Sequence, residues 1–319
     1  MPGKVAIILP VYNVSDYLPR CLNSLFLQTY KNFDIFAIND ASTDNSLQIL
    51  LQYQKKDSRL SVISHQVNQG ISATRNAALE IIEKQNSYDY IYFCDSDDFI
   101  SPKALEILVH TLIKEEADVA TCCYNRFGCN KETTHAFNNY CSFGPESFIE
   151  QIFSLGKWKK KRGAGGQVFL RLFDASKIKG IRFWTEAKVA EDELFCAEVA
   201  TRITKVSYIP EPLYFYRDRP TSLSHSKTFS EKALTSRIQC LKFTKKISYY
   251  ALIINACAIL KQIRKGCYDL APELSAYLSP LLRLGRSLKL ISFKEYLLFR
   301  LLKSLNKKKT TSIRDFLNI

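Results

Sequence analysis

The sequence predicts an α/β protein: a mostly parallel sheet flanked by helices, followed by a basic C-terminal helical region. Two observations carry this. Over the first 125 residues, short apolar runs alternate with amphipathic stretches, the pattern of strands joined by right-handed helical crossovers. The net charge of +14 also lies entirely in the last part of the chain. Residues 1–226 hold 26 Lys+Arg against 26 Asp+Glu, and residues 227–319 hold 19 against 5. The predicted division is therefore 1–226, with halves at 1–125 and 126–226, and then 227–319.

The elements follow in order. Residues 5–9 form an apolar run ended by Pro10, and Ser15 is placed to cap a helix carrying Leu18, Leu22, Leu25 and Phe26 on one face. Residues 33–38 are a second strand ending in Asn39-Asp40. A polar turn, Ala41-Ser42-Thr43-Asp44, leads to a helix with Leu47, Ile49, Leu50 and Tyr53. Residues 60–64 are a third strand, and Gly70 precedes a helix of Ile71, Ala78, Leu79 and Ile82. Residues 88–94 are a fourth strand, running straight into Asp95-Ser96-Asp97-Asp98. Pro102 starts the helix of Leu105, Leu108 and Leu112, and residues 119–123 read as another strand.

Residues 126–226 are less regular, with breaks at 144–145, 163–166 and 210–212 and short strands at 206–209 and 213–216. The 163–166 stretch lacks the Gly-Lys-Ser/Thr ending of a P-loop, so it reads as an acceptor-side loop or a plain connection.

Apolar content of 46% and charged content of 24% are those of a globular chain. Met1 leads almost at once into a strand, and the ten cysteines are scattered without a Cys-x-x-Cys pair. Both point to a cytosolic protein with reduced, structural thiols. No apolar run approaches the roughly 20 residues that span a bilayer.

In open parallel sheets, ligands bind beyond the carboxyl ends of the strands. Pro10 to Asn13, Asn39-Asp40 and Asp95 to Asp97 all fall on that edge. Two unit charges about 4 Å apart repel by roughly 4 kcal/mol at an effective dielectric near 20. The crowded carboxylates after the fourth strand thus read either as a divalent-metal–diphosphate site or as an acidic turn capping the next helix.

Four segments, in this order, resemble the donor-site motifs of glycosyltransferase family 2. They are Ile8-Leu9-Pro10-Val11-Tyr12-Asn13, Asn39-Asp40-Ala41-Ser42-Thr43-Asp44, Asn68-Gln69-Gly70 with Ala73-Thr74-Arg75-Asn76, and Asp95-Ser96-Asp97. The resemblance covers about the first two-thirds of the chain and none of the basic tail. It implies a GT-A (Rossmann-like) fold and inverting transfer from a nucleotide-diphospho-sugar. By this resemblance Pro10 and Tyr12 line the nucleoside pocket, and Asp40 accepts the imide N–H of uracil, which favours a UDP-sugar donor. Asn68 and Arg75 hold the nucleotide, Asp95 lies near the ribose, Ser96 belongs to the same nucleotide-sugar site, and Asp97 binds Mn²⁺ or Mg²⁺.

Glu191-Asp192 is similar to the family's Glu-Asp motif, which makes Asp192 the general base and Glu191 the runner-up. His225 is a candidate metal or phosphate ligand, and Arg217 or Arg219 a candidate diphosphate contact. Ala41 stands where the family more often has Gly; a small residue remains, so little loss is expected. Trp158 and Trp184 read as sugar-stacking or core aromatics.

The tail interleaves Lys and Arg with Leu, Ile, Phe and Tyr over 281–294 and 296–309. Such basic amphipathic stretches suit an anionic membrane surface or a helical, homo-oligomeric contact. No recognition motif accompanies the charge, so nucleic acid is not an expected partner. The combined expectation is a cytosolic, peripherally membrane-associated glycosyltransferase. Its acceptor would be a glycan or lipid-linked glycan of lipopolysaccharide, capsule or exopolysaccharide type. The rivals are a nucleotidyltransferase and a non-catalytic binding protein with a degenerate donor pocket.

Overall fold

The computed structural model describes residues 3–128, 139–154, 158, 165–186 and 191–218, with isolated positions between 238 and 283. Nine strands form one sheet, β1 (Val5–Val11), β2 (Phe33–Asn39), β3 (Leu60–Ser64), β4 (Tyr90–Phe93), β5 (Phe99–Ile100), β6 (Val119–Phe127), β7 (Cys141–Phe143), β8 (Arg171–Asp174) and β9 (Val206–Arg217). The order is β3-β2-β1-β4-β8-β6-β9-β5, with β7 pairing β9 beside this path. β1 to β4 pair in parallel throughout. Antiparallel pairs enter with the second half, where β8 runs against both β4 and β6.

The helices are α1 (Leu18–Phe26), α2 (Ser46–Gln54), α3 (Ile71–Gln85), α4 (Ala104–Glu115), α5 (Pro145–Ile152), α6 (Ala175–Ile178) and α7 (Glu191–Val199). They cover both faces of the sheet, and strand alternation assigns them. Val5, Ile7, Leu9 and Val11 of β1 join a core with α1, α2 and α4, while Ala6 and Ile8 join the opposite core with α3, α5 and α7. Residues two apart share a face, so a strand buried on both faces must be apolar throughout, as all seven residues of β1 are. Cys240, Ala256, Ile259, Leu278 and Leu282 are buried in the α3–α5–α7 core. Most of the expected basic region 227–319 lies outside the described residues.

Three expectations are corrected. β1 continues through Pro10 to Val11, in register with β2. In a parallel pair, successive residues turn their amide groups to opposite sides. Val11 O accepts from Asp40 on β2's side, so Pro10 faces the side where β4 has already ended, and its missing N–H breaks no ladder bond.

Ser15 does not cap α1. The helix begins at Leu18 behind Tyr17, and the Ser15 N–H is bound by Asp44 Oδ2 at 2.9 Å. The two short strands around 206–216 are one strand, β9. Pro210 and Pro212 sit between its pairings with β7 (206–208) and β5 (214–215), where no ladder on that side needs their N–H groups.

Candidate active site

Parallel pairing brings the exits of β1, β2 and β4 to one edge of the sheet. The β1 exit loop is fastened to the turn after β2. Asn13 N–H donates to Ser42 Oγ (3.1 Å), Thr43 N–H to Asn13 Oδ1 (2.8 Å) and Val14 N–H to Ser46 Oγ (3.0 Å). The Asn-Asp-Ala-Ser-Thr-Asp run is thus a clasp between two loops as well as a turn before α2. Ala41 sits at φ +56°, in the left-handed region. The family's frequent Gly at this place therefore answers a backbone demand and not only a size limit.

The clasp leaves Tyr12 47% exposed at the mouth, with Pro10 buried in β1 beneath it. Asp40, only 3% exposed, is heavily engaged. Its Oδ1 accepts from His65 Nδ1 (2.8 Å) and Gln69 N–H (2.9 Å), and its Oδ2 accepts from Gly70 N–H (2.8 Å). A carboxylate has about four acceptor positions, so these three bonds leave Oδ2 room for one more donor. Asn68 Nδ2 reaches Asp40's backbone carbonyl at 3.4 Å. His65, absent from the sequence-based set, lies just past the end of β3, where its N–H continues the ladder to Asn39 O.

The carboxylates after β4 divide in role. Asp98 is buried and accepts from Tyr214 Oη–H and Arg217 N–H, each at 2.6 Å. Burial first, then the charges of Asp97 and Asp95, raise its pKa well above the usual carboxylate range. It is a strut tying the loop to β9. Ser96 is buried and Asp97 half-buried in the same loop. Arg217 Nε donates to Asp97 O at 2.9 Å, and its guanidinium lies 4.6 Å from both the Tyr17 and Phe127 ring centres. Arg217 therefore clamps the loop's backbone.

Arg75 joins this edge to α7. It is 1% exposed, donates from one terminal nitrogen to Asp95 Oδ1 (2.9 Å), and from the other to Asp192 Oδ1 (2.7 Å) and Glu191 Oε1 (3.3 Å). Its guanidinium lies 5.1 Å from the Phe183 ring centre. The neighbouring Asn76 pins Phe183, with its amide exchanging two 2.8 Å bonds with that residue's backbone. Burial opposes the Arg75 charge, but Asp192, Asp95 and Glu191 outweigh it and raise its pKa. The sequence placed Arg75 on the nucleotide; in the structure both of its terminal nitrogens donate to carboxylates.

Burial and then Asp192's charge push Glu191 up to about 7, against the pull of Arg75. Asp192 is raised too, by burial first, with Arg75 opposing. Its Oδ2 also accepts from Val168 N–H at 3.2 Å.

Trp158 is core: it is fully buried, 5.0 Å from Phe143 and 5.2 Å from Tyr208 between ring centres. Trp184 packs partly buried against the same core. His225 and Arg219 lie outside the described residues. Among the described residues no cluster of three His, Cys, Asp or Glu side chains is spaced to hold a metal. The donor at hand is a hard carboxylate, Asp97, at the crevice. That set fits Mg²⁺ or Mn²⁺ bound with most of its shell from substrate oxygens, and does not fit a closed protein cage.

The family model described as glycosyl transferase family 2 matches residues 6–178. The chain is 32% identical over 246 residues to glycosyltransferase GlyA of Streptococcus pneumoniae, covering 75% of this chain and 34% of that one. It is 33% identical over 221 residues to a poly(ribitol-phosphate) beta-glucosyltransferase of Bacillus spizizenii, covering 67% and 32%. The chain thus spans about a third of the length of each of these relatives. Among solved structures it is similar to S. aureus TarS 1–349 in complex with UDP, with a TM-score of 0.62 and 19% identity over 94% of this chain and 90% of that one. That likeness is one of fold. No helix among the described residues is long and apolar enough to cross a membrane.

Proposed function

Because the chain belongs to glycosyl transferase family 2, we propose that it transfers a hexose or N-acetylhexosamine from a UDP-sugar to a glycan hydroxyl. The transfer inverts the anomeric centre, and the acceptor is a cell-surface glycan or its lipid-linked precursor. The observation that carries this is Arg75, which gathers Asp95 from the β4 exit and the Glu191-Asp192 pair from α7 around one guanidinium. A donor-side loop and a candidate base are thereby brought to one place.

In this reading Tyr12 packs beside the base and Asp40 offers Oδ2 to the uracil imide. Asn68 fixes the neighbouring loop, and Asp95 and Ser96 border the ribose. Asp97, with His225, would hold Mn²⁺ or Mg²⁺, which supplies charge stabilisation to the departing diphosphate when bound. Asp192 takes the acceptor's proton, because inverting attack needs one base on the face opposite the leaving group. Arg75 orients that base and does not grip the nucleotide. The names of the Bacillus relative and of the TarS–UDP complex support a polymer acceptor and a UDP donor. The basic region from 227 onward, which carries the chain's surplus positive charge, brings the enzyme to an anionic membrane surface or to a second copy in this reading.

The test is a panel of UDP-sugars assayed for UDP release with and without Mn²⁺ or Mg²⁺. Release needs the ion, Asp97→Ala abolishes it, and Asp192→Asn binds UDP but does not turn over. Full activity of Asp192→Asn would place the base elsewhere, and pyrophosphate as product would replace sugar transfer with nucleotidyl transfer.

A further inference from the structure

Arg171 is a buried cation with no task in this reading. It lies at the start of β8 with no exposed surface, and among the described residues it has no carboxylate within ion-pair distance. A guanidinium so placed is unfavourable unless its donors are well used. Burial accordingly pulls its pKa down.

Both of its terminal nitrogens reach one short segment, residues 165–168. One terminal nitrogen donates to Gly165 O at 2.6 Å and to Gln151 Oε1 at 3.3 Å, and the other donates to Gln167 O. The same segment is held from other sides by a Gly165 N–H bond to Gln151 O (2.8 Å) and by Cys196 Sγ on Gly166 O (3.3 Å). A Cβ added at Gly166 would sit 2.8 Å from Glu193 Cα, so the segment lies directly on the first turn of α7. It ends in Val168, whose N–H binds Asp192 Oδ2.

We infer that Arg171 is a positioning residue for Asp192, holding the 165–168 segment so that Val168 N–H fixes the base's second oxygen. The inference rests on reading Asp192 as the base. The groups facing Asp192 are Arg75 from α3, Asp95 from the β4 exit, Arg171 from β8, and Glu191 and Cys196 from α7 itself. Arg75 and Arg171 favour its ionised form; Asp95 and Glu191 oppose it.

The experiment compares Arg171→Gln, Arg171→Lys and Val168→Pro in the full chain, using a panel of UDP-hexoses and UDP-N-acetylhexosamines, with UDP binding by calorimetry. Proline at 168 removes the N–H and exchanges one buried apolar side chain for another, and the backbone accepts it, because Gln167 is extended (ψ 119°) and Val168 opens a short 3-10 turn. Arg171→Gln and Val168→Pro each lower kcat about 10- to 100-fold, the range of a lost bond to a charged group. Donor KM and UDP affinity stay within about threefold. Arg171→Lys recovers part of the loss, and in Arg171→Gln the acidic limb of kcat moves to higher pH, since removing a positive charge raises the base's pKa.

Wild-type kcat in Arg171→Gln or in Val168→Pro overturns the inference. So does a fall in UDP affinity and melting temperature in step with kcat. Inactive Asp192→Asn beside fully active Arg171→Gln removes only this inference. Active Asp192→Asn, or a panel that yields no turnover, removes the functional reading with it.

Discussion

At the exits of β1 and β2 the chain is tied by many hydrogen bonds, two of them to the Asp44 carboxylate, whereas at α7 the ion pairs of two acidic residues converge on one guanidinium. The first region shares its load among the bonds of Asn13, Ser42, Thr43, Asp44 and Ser46. A neutral bond of this kind is worth about 0.5–1.5 kcal/mol net and one to the Asp44 carboxylate about 1.5–3 kcal/mol, so no single loss undoes the clasp. In the second region, Arg75 is the one ion-pair partner of three carboxylates among the described residues. The β1 and β2 exit loops are thus organised redundantly, and the start of α7 is organised by a hub. Changes at the hub test the contrast most sharply.

Arg75→Met is expected to have the largest effect. It leaves Asp95, Glu191 and Asp192 without their shared counter-ion, and breaking a buried ionic contact from one side typically costs 3–5 kcal/mol. Urea unfolding should show a loss of that order, and turnover should fall at least 100-fold. Arg75→Lys should restore little, because a point-charge ammonium cannot fork to carboxylates on two sides. A lysine variant with near-normal activity would show that charge alone suffices and that the hub is not geometric.

Gly166→Ala comes next. The added methyl group meets the α7 backbone at Glu193, and forcing an atom into packed structure costs about 1–3 kcal/mol. With Asp192 as the proposed base, turnover should fall while UDP binding is kept, because the displacement falls on α7 and not on the β1–β2 clasp. Equal loss of both would mean that the two regions are coupled more tightly than the bonds between them show.

The same contrast explains what the sequence could reveal. The first half was legible because its determinants are local. Apolar strands ended in polar loops, parallel pairing aligned those ends, and Asp40, Asp95 and Asp97 arrived together at one edge. Helix starts were less legible: Ser15 reads as a cap, but its backbone is claimed by Asp44 across 29 residues. Pro210 and Pro212 read as breaks because the sequence does not show that they fall where one side of β9 lacks a partner. The partners of Arg75 on α7 lie 116 and 117 residues away, so its motif position suggested a ligand contact and hid the carboxylates. Arg171 had a visible signal, a lone cation in the apolar run 168–173, which carries weight only once burial is known.

Glu191→Gln gives a smaller effect of opposite sign. Glu191's pKa is raised to about 7 in the folded protein, from about 4.3 in an unfolded chain. The proton bound more tightly by the folded state contributes stability that is full below pH 4.3 and lost as the pH rises through about 7. Glutamine mimics the protonated form at every pH. The variant should therefore match wild type at pH 5 and exceed it at pH 8, by on the order of 1–3 kcal/mol, in melting or urea unfolding. Its turnover should persist if Asp192 is the base. Loss of turnover with gained stability would instead make Glu191 the proton acceptor.

Ala41→Gly is the smallest test and probes the redundant region. Ala41 holds φ +56°, a conformation that costs an L side chain roughly 1 kcal/mol and costs glycine nothing sterically. Glycine also makes the unfolded chain more flexible, which returns part of that gain. The net expectation is a stabilisation of a few tenths to about 1 kcal/mol, read as a small rise in melting temperature, with UDP affinity unchanged. The neighbouring bonds, Ser42 N–H to Asn39 Oδ1 and Asn13 N–H to Ser42 Oγ, hold the turn whichever residue stands at 41. If the variant is instead less stable, the clasp needs the alanine methyl for packing. The β1–β2 region would then lean on a single contact, as α7 leans on Arg75.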